Sequence, residues 1–157
     1  MPPRCCFPPA GPRSRPRCAL PGSGFSSPQD AALVAFAHAA GLRFPEAFRN
    51  LADYLHATRG RLPECYLRKR AAERLGWRPG RDLWAVAPGA AIGGDRFANR
   101  EGRLPARWYG RYVEADLDYE GGHRGKHRLV FVRDMGDAWL LFVSADHERS
   151  FRAFSPR

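Results

Sequence analysis

Between Pro45 and Thr58 the apolar residues Phe48, Leu51, Ala52 and Leu55 recur at i, i+3, i+4 and i+7, which predicts a helix with one apolar stripe. Gly60 ends it, and Arg61-Leu62-Pro63 turns the chain away. A second helix is predicted from about Arg68 to Leu75; it carries Lys69 and Arg70 and stops at Gly76, leaving Trp77 to pack back on its last turn. Upstream, Ser27-Pro28-Gln29-Asp30 has the form of a helix start, with Ser27 as N-cap, Pro28 at the first position and Asp30 at the third. It opens a short apolar helix through Ala40 that docks on the domain. After Pro79-Gly80 and Pro88-Gly89 the character changes to β. Tyr109 to Asp118, Arg128 to Arg133 and Trp139 to Ser144 are rich in Val, Leu, Phe, Trp and Tyr, and Met135-Gly136-Asp137 makes a hairpin turn between the last two. Helices first and an antiparallel sheet afterwards predict an α+β fold, with the helices on one face of the sheet and a binding surface on the other.

With 157 residues the chain has room for one domain and appendages. Residues 1–26 are rich in Pro, Arg, Gly and Ser and predict a disordered tail; residues 27–43 hold the short extra helix, and residues 44–157 the domain. The tail is a poor signal peptide, because its basic part is long and proline-broken and no clean apolar segment follows. No apolar run approaches the roughly 18 residues that span a bilayer. Cys5, Cys6 and Cys18 lie in the tail and Cys65 alone in the domain, so the reading gives the domain no internal disulfide. There is no CxxC, nor cysteines and histidines at zinc spacing.

Charge narrows the partner. A formal net charge of +10 points to a polyanion, either nucleic acid or an anionic surface. The stretch from Ile92 to Pro105 is too glycine-rich and too charged for a helix or a regular strand, and is expected to be a loop punctuated by Gly93-Gly94 and Gly102. Behind the Phe97 ring, Asn99-Arg100-Glu101 offers backbone N–H groups and one carboxylate. That set is complementary to guanine, whose O6 and N7 accept and whose N1 and N2 donate; a carboxylate receives both donors as a pair that adenine cannot supply. Taken alone, such a loop is more often a polar turn without a ligand.

Its company gives it weight. Ile92-Gly93-Gly94-Asp95-Arg96-Phe97-Ala98-Asn99-Arg100-Glu101-Gly102-Arg103-Leu104-Pro105 is followed by Glu114-Ala115-Asp116 and Asp146-His147. Ahead of it come Leu51-Ala52-Asp53-Tyr54-Leu55, Arg61-Leu62-Pro63, Leu75-Gly76-Trp77 and Ala87-Pro88-Gly89. From about Phe44 to Phe154 the chain resembles the barnase/binase-type guanyl-specific ribonucleases. The resemblance implies the microbial ribonuclease fold and an endoribonuclease that cleaves single-stranded RNA 3′ of guanosine. The implied reaction is metal-independent transesterification to a 2′,3′-cyclic phosphate, then hydrolysis to the 3′-phosphate.

Such chemistry needs a base for the 2′-OH proton, an acid for the leaving 5′-oxygen and cations for the charge that builds between them. The resemblance makes Glu114 the base, His147 the acid, Arg124 and Arg128 the phosphate-binding arginines and Lys69 the catalytic lysine. It gives Glu101 the guanine N1 and N2 donors and the backbone N–H groups of Asn99 and Arg100 its O6, with Phe97 and Ala98 shaping the base pocket. Asp95 and Asp116 are expected as buried supports that orient the cations. No cofactor and no metal is implied. The implied partners are the RNA substrate and an acidic inhibitor of the barstar type, with the enzyme a monomer acting outside the cell.

Other readings compete. A non-catalytic RNA-binding module on the same fold would retain guanine preference without turnover, and a basic protein acting on anionic surfaces would not depend on Glu101. A two-metal nuclease using Asp95, Glu101, Glu114 and Asp116 is opposed by the surrounding arginines. His123 and His127 have the i, i+4 spacing of helical zinc ligands, but Gly121, Gly122 and Gly125 argue against a helix there. The chain also departs from the family pattern. Glu148 stands where a Tyr is common, Ala98 where Ser is frequent and His123 in place of an aromatic, and the segment between Gly110 and Glu114 is one residue shorter. Glu148 removes a stacking surface and adds negative charge beside the phosphate site.

Overall fold

The computed structural model describes residues 27–155, so the expectation of a disordered tail over 1–26 falls outside the described residues. Three helices, α1 (Pro28–Ala39), α2 (Pro45–Ala57) and α3 (Lys69–Arg74), accompany a six-stranded sheet. Its strands are β1 (Tyr66–Leu67), β2 (Ala91–Arg96), β3 (Val113–Asp116), β4 (Arg128–Arg133), β5 (Trp139–Ser144) and β6 (Arg152–Phe154). They lie side by side in chain order; β1 and β2 are parallel and every later pair is antiparallel. This is the expected α+β arrangement.

Local chemistry starts the first helix as the sequence predicts. The Asp30 N–H donates to Ser27 Oγ at 3.2 Å and the Ser27 N–H to the Asp30 carboxylate at 3.0 Å, a reciprocal capping box. Helix α1 is part of the core: Leu33 and Ala37 are buried with Phe48, Leu51 and Leu55 of α2 and with Leu129, Phe131, Leu141 and Val143 of the sheet. Each large apolar side chain buried in this way stabilises the fold by about 1.5–3 kcal/mol.

Register decides what lies on the opposite face. In β3 and β4, Val113 pairs with Phe131, Glu114 with Val130, Ala115 with Leu129 and Asp116 with Arg128. Successive side chains alternate across a strand, so Leu129 and Phe131 face the helices while Glu114, Asp116, Arg128 and Val130 face away. On β5, Ser144 sits opposite Arg128 and Phe142 opposite Val130, extending that second face. Part of it is dry, where Val130, Val132 and Phe142 pack with Leu104, Trp108 and Tyr112. The remainder is polar and carries the site.

The stretch expected to be a loop from Ile92 onward begins as β2 and becomes a loop only after Arg96. Its glycines serve the strand rather than break it. A Cβ on Gly93 would stand 2.6 Å from the Tyr66 ring, and Gly94 adopts φ +100°. Between the Gly93–Ala115 and Arg96–Val113 pairs the register shifts, so β2 bulges there. The strand expected over Tyr109 to Asp118 is confined to Val113–Asp116. Before it the chain buries Trp108 and Tyr112 through a tight turn, with the Tyr112 hydroxyl donating to the Pro105 carbonyl at 2.7 Å. Strands β1 and β6 are too short for periodicity to reveal. Cys65 is fully buried and disulfide-bonded.

Candidate active site

Glu114 projects from β3 with 7% of its surface exposed. Lys69, the first residue of α3, donates from Nζ to Glu114 Oε1 at 2.8 Å. The start of α3 is fixed by Asp95 on β2, whose carboxylate accepts the Lys69 backbone N–H at 2.9 Å. A carboxylate there also complements the positive end of the helix. Asp95 was expected as a buried support that orients the cations; it is half-buried and places Lys69 through the backbone.

Asp116, 2% exposed, is the anchor of the arginines. Arg124 grips it with both arms of its fork, Nε at 2.8 Å and Nη2 at 2.6 Å, and Arg128 Nε lies 3.2 Å from the same carboxylate. Arg128 Nη1 also donates to the carbonyls of Gly125 at 2.7 Å and His127 at 2.9 Å. Burial disfavours both guanidinium charges, but around Arg124 the Asp116 hydrogen bonds and charge prevail and raise its pKa. At Arg128 burial prevails and lowers it. Tyr66 completes the support by donating to the Asp116 carbonyl at 2.8 Å.

His147 lies in the β5–β6 loop, exposed, in the left-handed region with φ 57°. Its N–H donates to the Lys126 carbonyl at 3.1 Å, tying this loop to the one that carries Arg124. Inside the loop, Ser144 Oγ accepts the Glu148 N–H at 2.8 Å and donates to Asp146 at 2.8 Å. The Asp146 carboxylate receives the Ser150 hydroxyl at 2.6 Å and the Ser150 N–H at 2.9 Å. The Ser150 hydroxyl, followed by its N–H and the Ser144 hydroxyl, holds the Asp146 carboxyl down to about 2.

His147 faces the loop that the sequence marked for guanine. Phe97, Ala98, Asn99, Arg100, Glu101, Arg103, His147, Glu148 and Phe151 together line a cleft of about 210 Å³. Phe97 meets Phe151 edge to face at 5.9 Å. Asn99, at φ 50°, clasps Leu104 with its side-chain amide: Nδ2 donates to the Leu104 carbonyl at 2.8 Å, and the Leu104 N–H to Oδ1 at 3.0 Å. The Asn99 side chain is therefore committed to loop shape. Glu101 forms an ion pair with Arg103, and Arg103 reaches across to the Glu148 carbonyl at 3.2 Å, bridging two rims of the cleft.

The sequence-predicted residues thus fall into two neighbouring groups. Lys69, Glu114, Asp116, Arg124 and Arg128 form a charged cluster on the sheet face, while Phe97 to Glu101 and His147 line the cleft. Glu148 joins them, lining the cleft with its carboxylate 3.7 Å from Arg128 Nε. The four carboxylates of a two-metal site are each engaged otherwise: Asp95 with the α3 backbone, Glu101 with Arg103, Glu114 with Lys69 and Asp116 with two arginines. His127 pairs through Nδ1 with Asp118 at 3.1 Å. Sequence reasoning missed Arg103, Phe151, Ser144 and Ser150. Only the Ser-x-Asp-x-x-x-Ser spacing around His147 carried a local signal of a self-bonded loop.

Comparison with known proteins identifies the family. A ribonuclease family matches residues 52–155. The chain is similar to the ribonuclease of Heyndrickxia coagulans, 44% identical over 105 residues that cover 66% of this chain and 92% of that protein. It is equally similar to the ribonuclease of Bacillus intermedius, 44% identical over 105 residues, where the match covers 62% of that longer protein. The family match contains Lys69, both arginines, Glu114, His147 and the whole Phe97–Glu101 loop, and on these grounds the chain belongs to the ribonuclease family of the barnase/binase type.

Proposed function

We propose that this ribonuclease is a guanyl-preferring endoribonuclease that cuts single-stranded RNA 3′ of guanosine by metal-independent transesterification. The observation that carries the reading is one cleft in which His147 faces the Phe97–Glu101 loop, bordered by Glu148 beside Arg128. A guanine seated on that loop brings its 3′-phosphate toward Arg124 and Arg128. Glu114 takes the 2′-OH proton, the 2′-oxygen attacks phosphorus, and His147 protonates the departing 5′-oxygen. Lys69 and the arginines hold the charge on the phosphorane-like transition state. A 2′,3′-cyclic phosphate forms first. In the second step the two groups exchange roles and water opens the ring to the 3′-phosphate. The need for a 2′-OH excludes DNA as a substrate.

Glu101 receives guanine N1 and N2 after releasing Arg103, and the Asn99 and Arg100 N–H groups bind O6. Asp116 and Asp95 are positioning residues, one for the arginines and the other for Lys69. By family analogy the enzyme is a monomer that acts outside its cell and is restrained inside by an acidic inhibitor of the barstar type. The described residues include no helix long and apolar enough to cross a membrane. One observation favours a second reading, an RNA-binding module without turnover: the Glu148 carboxylate beside Arg128.

The test is cleavage of GpA and ApA with a chelator present, for wild type, Glu114→Ala and His147→Ala. The expected result is cyclic guanosine phosphate from GpA, little product from ApA, and near-total loss in both variants. Binding of guanosine monophosphate without any cleavage would favour the binding module, and loss of activity with chelator would overturn the metal-free mechanism.

A further inference from the structure

Glu148 is built into the site as firmly as the residues that match the family pattern. It is held in the left-handed region at φ 65°, its N–H donates to Ser144 Oγ at 2.8 Å, and its carbonyl accepts from Arg103 at 3.2 Å. Its half-buried carboxylate lies 3.7 Å from Arg128 Nε. The charged groups facing it are Glu114 from β3, Arg128 from β4, Arg124 from the loop before β4 and Lys69 from α3. His147 precedes it in the chain, and Asp116 lies behind the two arginines.

Lys69, Arg124 and Arg128 are matched by Glu114 and Asp116 with one positive charge left over, which suits a phosphodiester of charge −1. Ionised Glu148 cancels that surplus, so an arriving phosphate finds no net positive charge in this cluster beyond the proton that His147 is proposed to donate. We propose that the Glu148 carboxylate is an internal competitor of the substrate phosphate, a tethered anion at Arg128 that RNA must displace or neutralise. The proposal rests on the reading of Arg124 and Arg128 as phosphate-binding. Binding of the phosphate is then coupled to proton uptake by Glu148. Burial first, and the Glu114 charge next, already raise its carboxyl pKa against the pull of Arg128, Arg124 and Lys69. A bound phosphate raises it further, so anion affinity gains as pH falls through the Glu148 titration.

Glu148→Gln keeps the shape and both backbone hydrogen bonds while deleting the charge. The probe is inorganic sulfate, which does not itself titrate between pH 4 and 8, followed by calorimetry with wild type and variant. At pH 7.5 and low salt the variant is expected to bind sulfate about 3–10-fold more tightly. That ratio falls toward one as pH drops through the Glu148 titration and the wild-type carboxylate becomes neutral. Equal affinities at pH 7.5, or a ratio independent of pH, would overturn the proposal. With GpA as substrate the variant lowers KM with little change in kcat. A fall in kcat at unchanged KM would instead make Glu148 a proton-transfer group and sink the competitor. If neither protein cleaves GpA, the ribonuclease reading of the site fails, and the sulfate titration still decides the role of Glu148.

Discussion

Lys69 Nζ and Glu114 Oε1 meet at 2.8 Å across 45 residues of chain, the cation at the first turn of α3 and the carboxylate on β3. The pair is asymmetric: the lysine side chain is 43% exposed and the glutamate side chain 9%. Solvent therefore reaches the cation and screens the pair, and Arg124 and Arg128 also sense the Glu114 charge, so the carboxylate keeps cations beside it if Lys69 is lost.

Lys69→Ala is expected to separate chemistry from stability. With the cation half in water, the unfolding free energy changes by no more than about 1 kcal/mol. On the proposed mechanism, loss of this cation from beside the phosphorane-like transition state lowers kcat/KM by about 10²-fold. Urea unfolding and steady-state cleavage of GpA, run on the same preparation, check both. A large loss of stability with unchanged kcat/KM would place Lys69 in the scaffold instead.

Asp116→Asn is expected to behave in the opposite manner. It strips the counter-charge from two partly buried guanidinium groups at once, which costs about 3–5 kcal/mol. Thermal unfolding shows the loss directly. Tyr66→Phe, which deletes only the bond to the Asp116 carbonyl, costs about 1 kcal/mol by comparison.

Ser150→Ala removes the largest cause of the low Asp146 pKa, so that carboxyl returns from about 2 toward the ordinary 3.8. These hydrogen bonds contribute fully above the unfolded value and are lost as pH falls through the folded one. At neutral pH the variant keeps its fold but loosens the loop carrying His147, so kcat falls more than KM rises. NMR titration of Asp146 and kinetics on GpA are the two readouts.

His127 makes stability sensitive to mild acid. Burial lowers its imidazole pKa below 6.5 ahead of the opposing Asp118 charge, and Lys126, Arg43 and Arg128 reinforce the lowering. The unfolded chain thus takes up this proton before the folded one as pH falls. The contribution is complete above about 6.5 and is lost as pH drops through the depressed folded value. Asp118 also accepts the Arg43 N–H at 2.8 Å and the Phe44 N–H at 3.3 Å, and so links His127 to the entry of α2. Unfolding measured at pH 7.5 and 5 is expected to show a smaller pH slope in His127→Asn than in wild type.

How much of this was legible in the sequence depends on how locally each feature is determined. Helix α2 and strands β4 and β5 announce themselves through their own spacing, and their bounds follow the pattern within a residue or so. The Ser27 cap was legible for the same reason. Strand β2 was not, because Gly93 is required by a ring 27 positions earlier in the chain, and no local rule distinguishes that from a loop glycine. The partner of Asp95 was out of local reach in the same way: it is a backbone N–H 26 residues away. The charged groups were recognisable by motif, but the cleft that His147 shares with Phe97 to Glu101 exists only once β5 and β6 are paired.

That last dependence sets the order in which the enzyme fails on heating. Strand β6 is three residues long and hydrogen-bonded to β5 alone, at the edge of the sheet. The loop it closes carries His147, Glu148 and Phe151, three residues of the cleft wall. An edge of this kind opens before the interior. Turnover therefore declines while circular dichroism still reports an intact sheet, and the temperature of half-activity lies below the Tm.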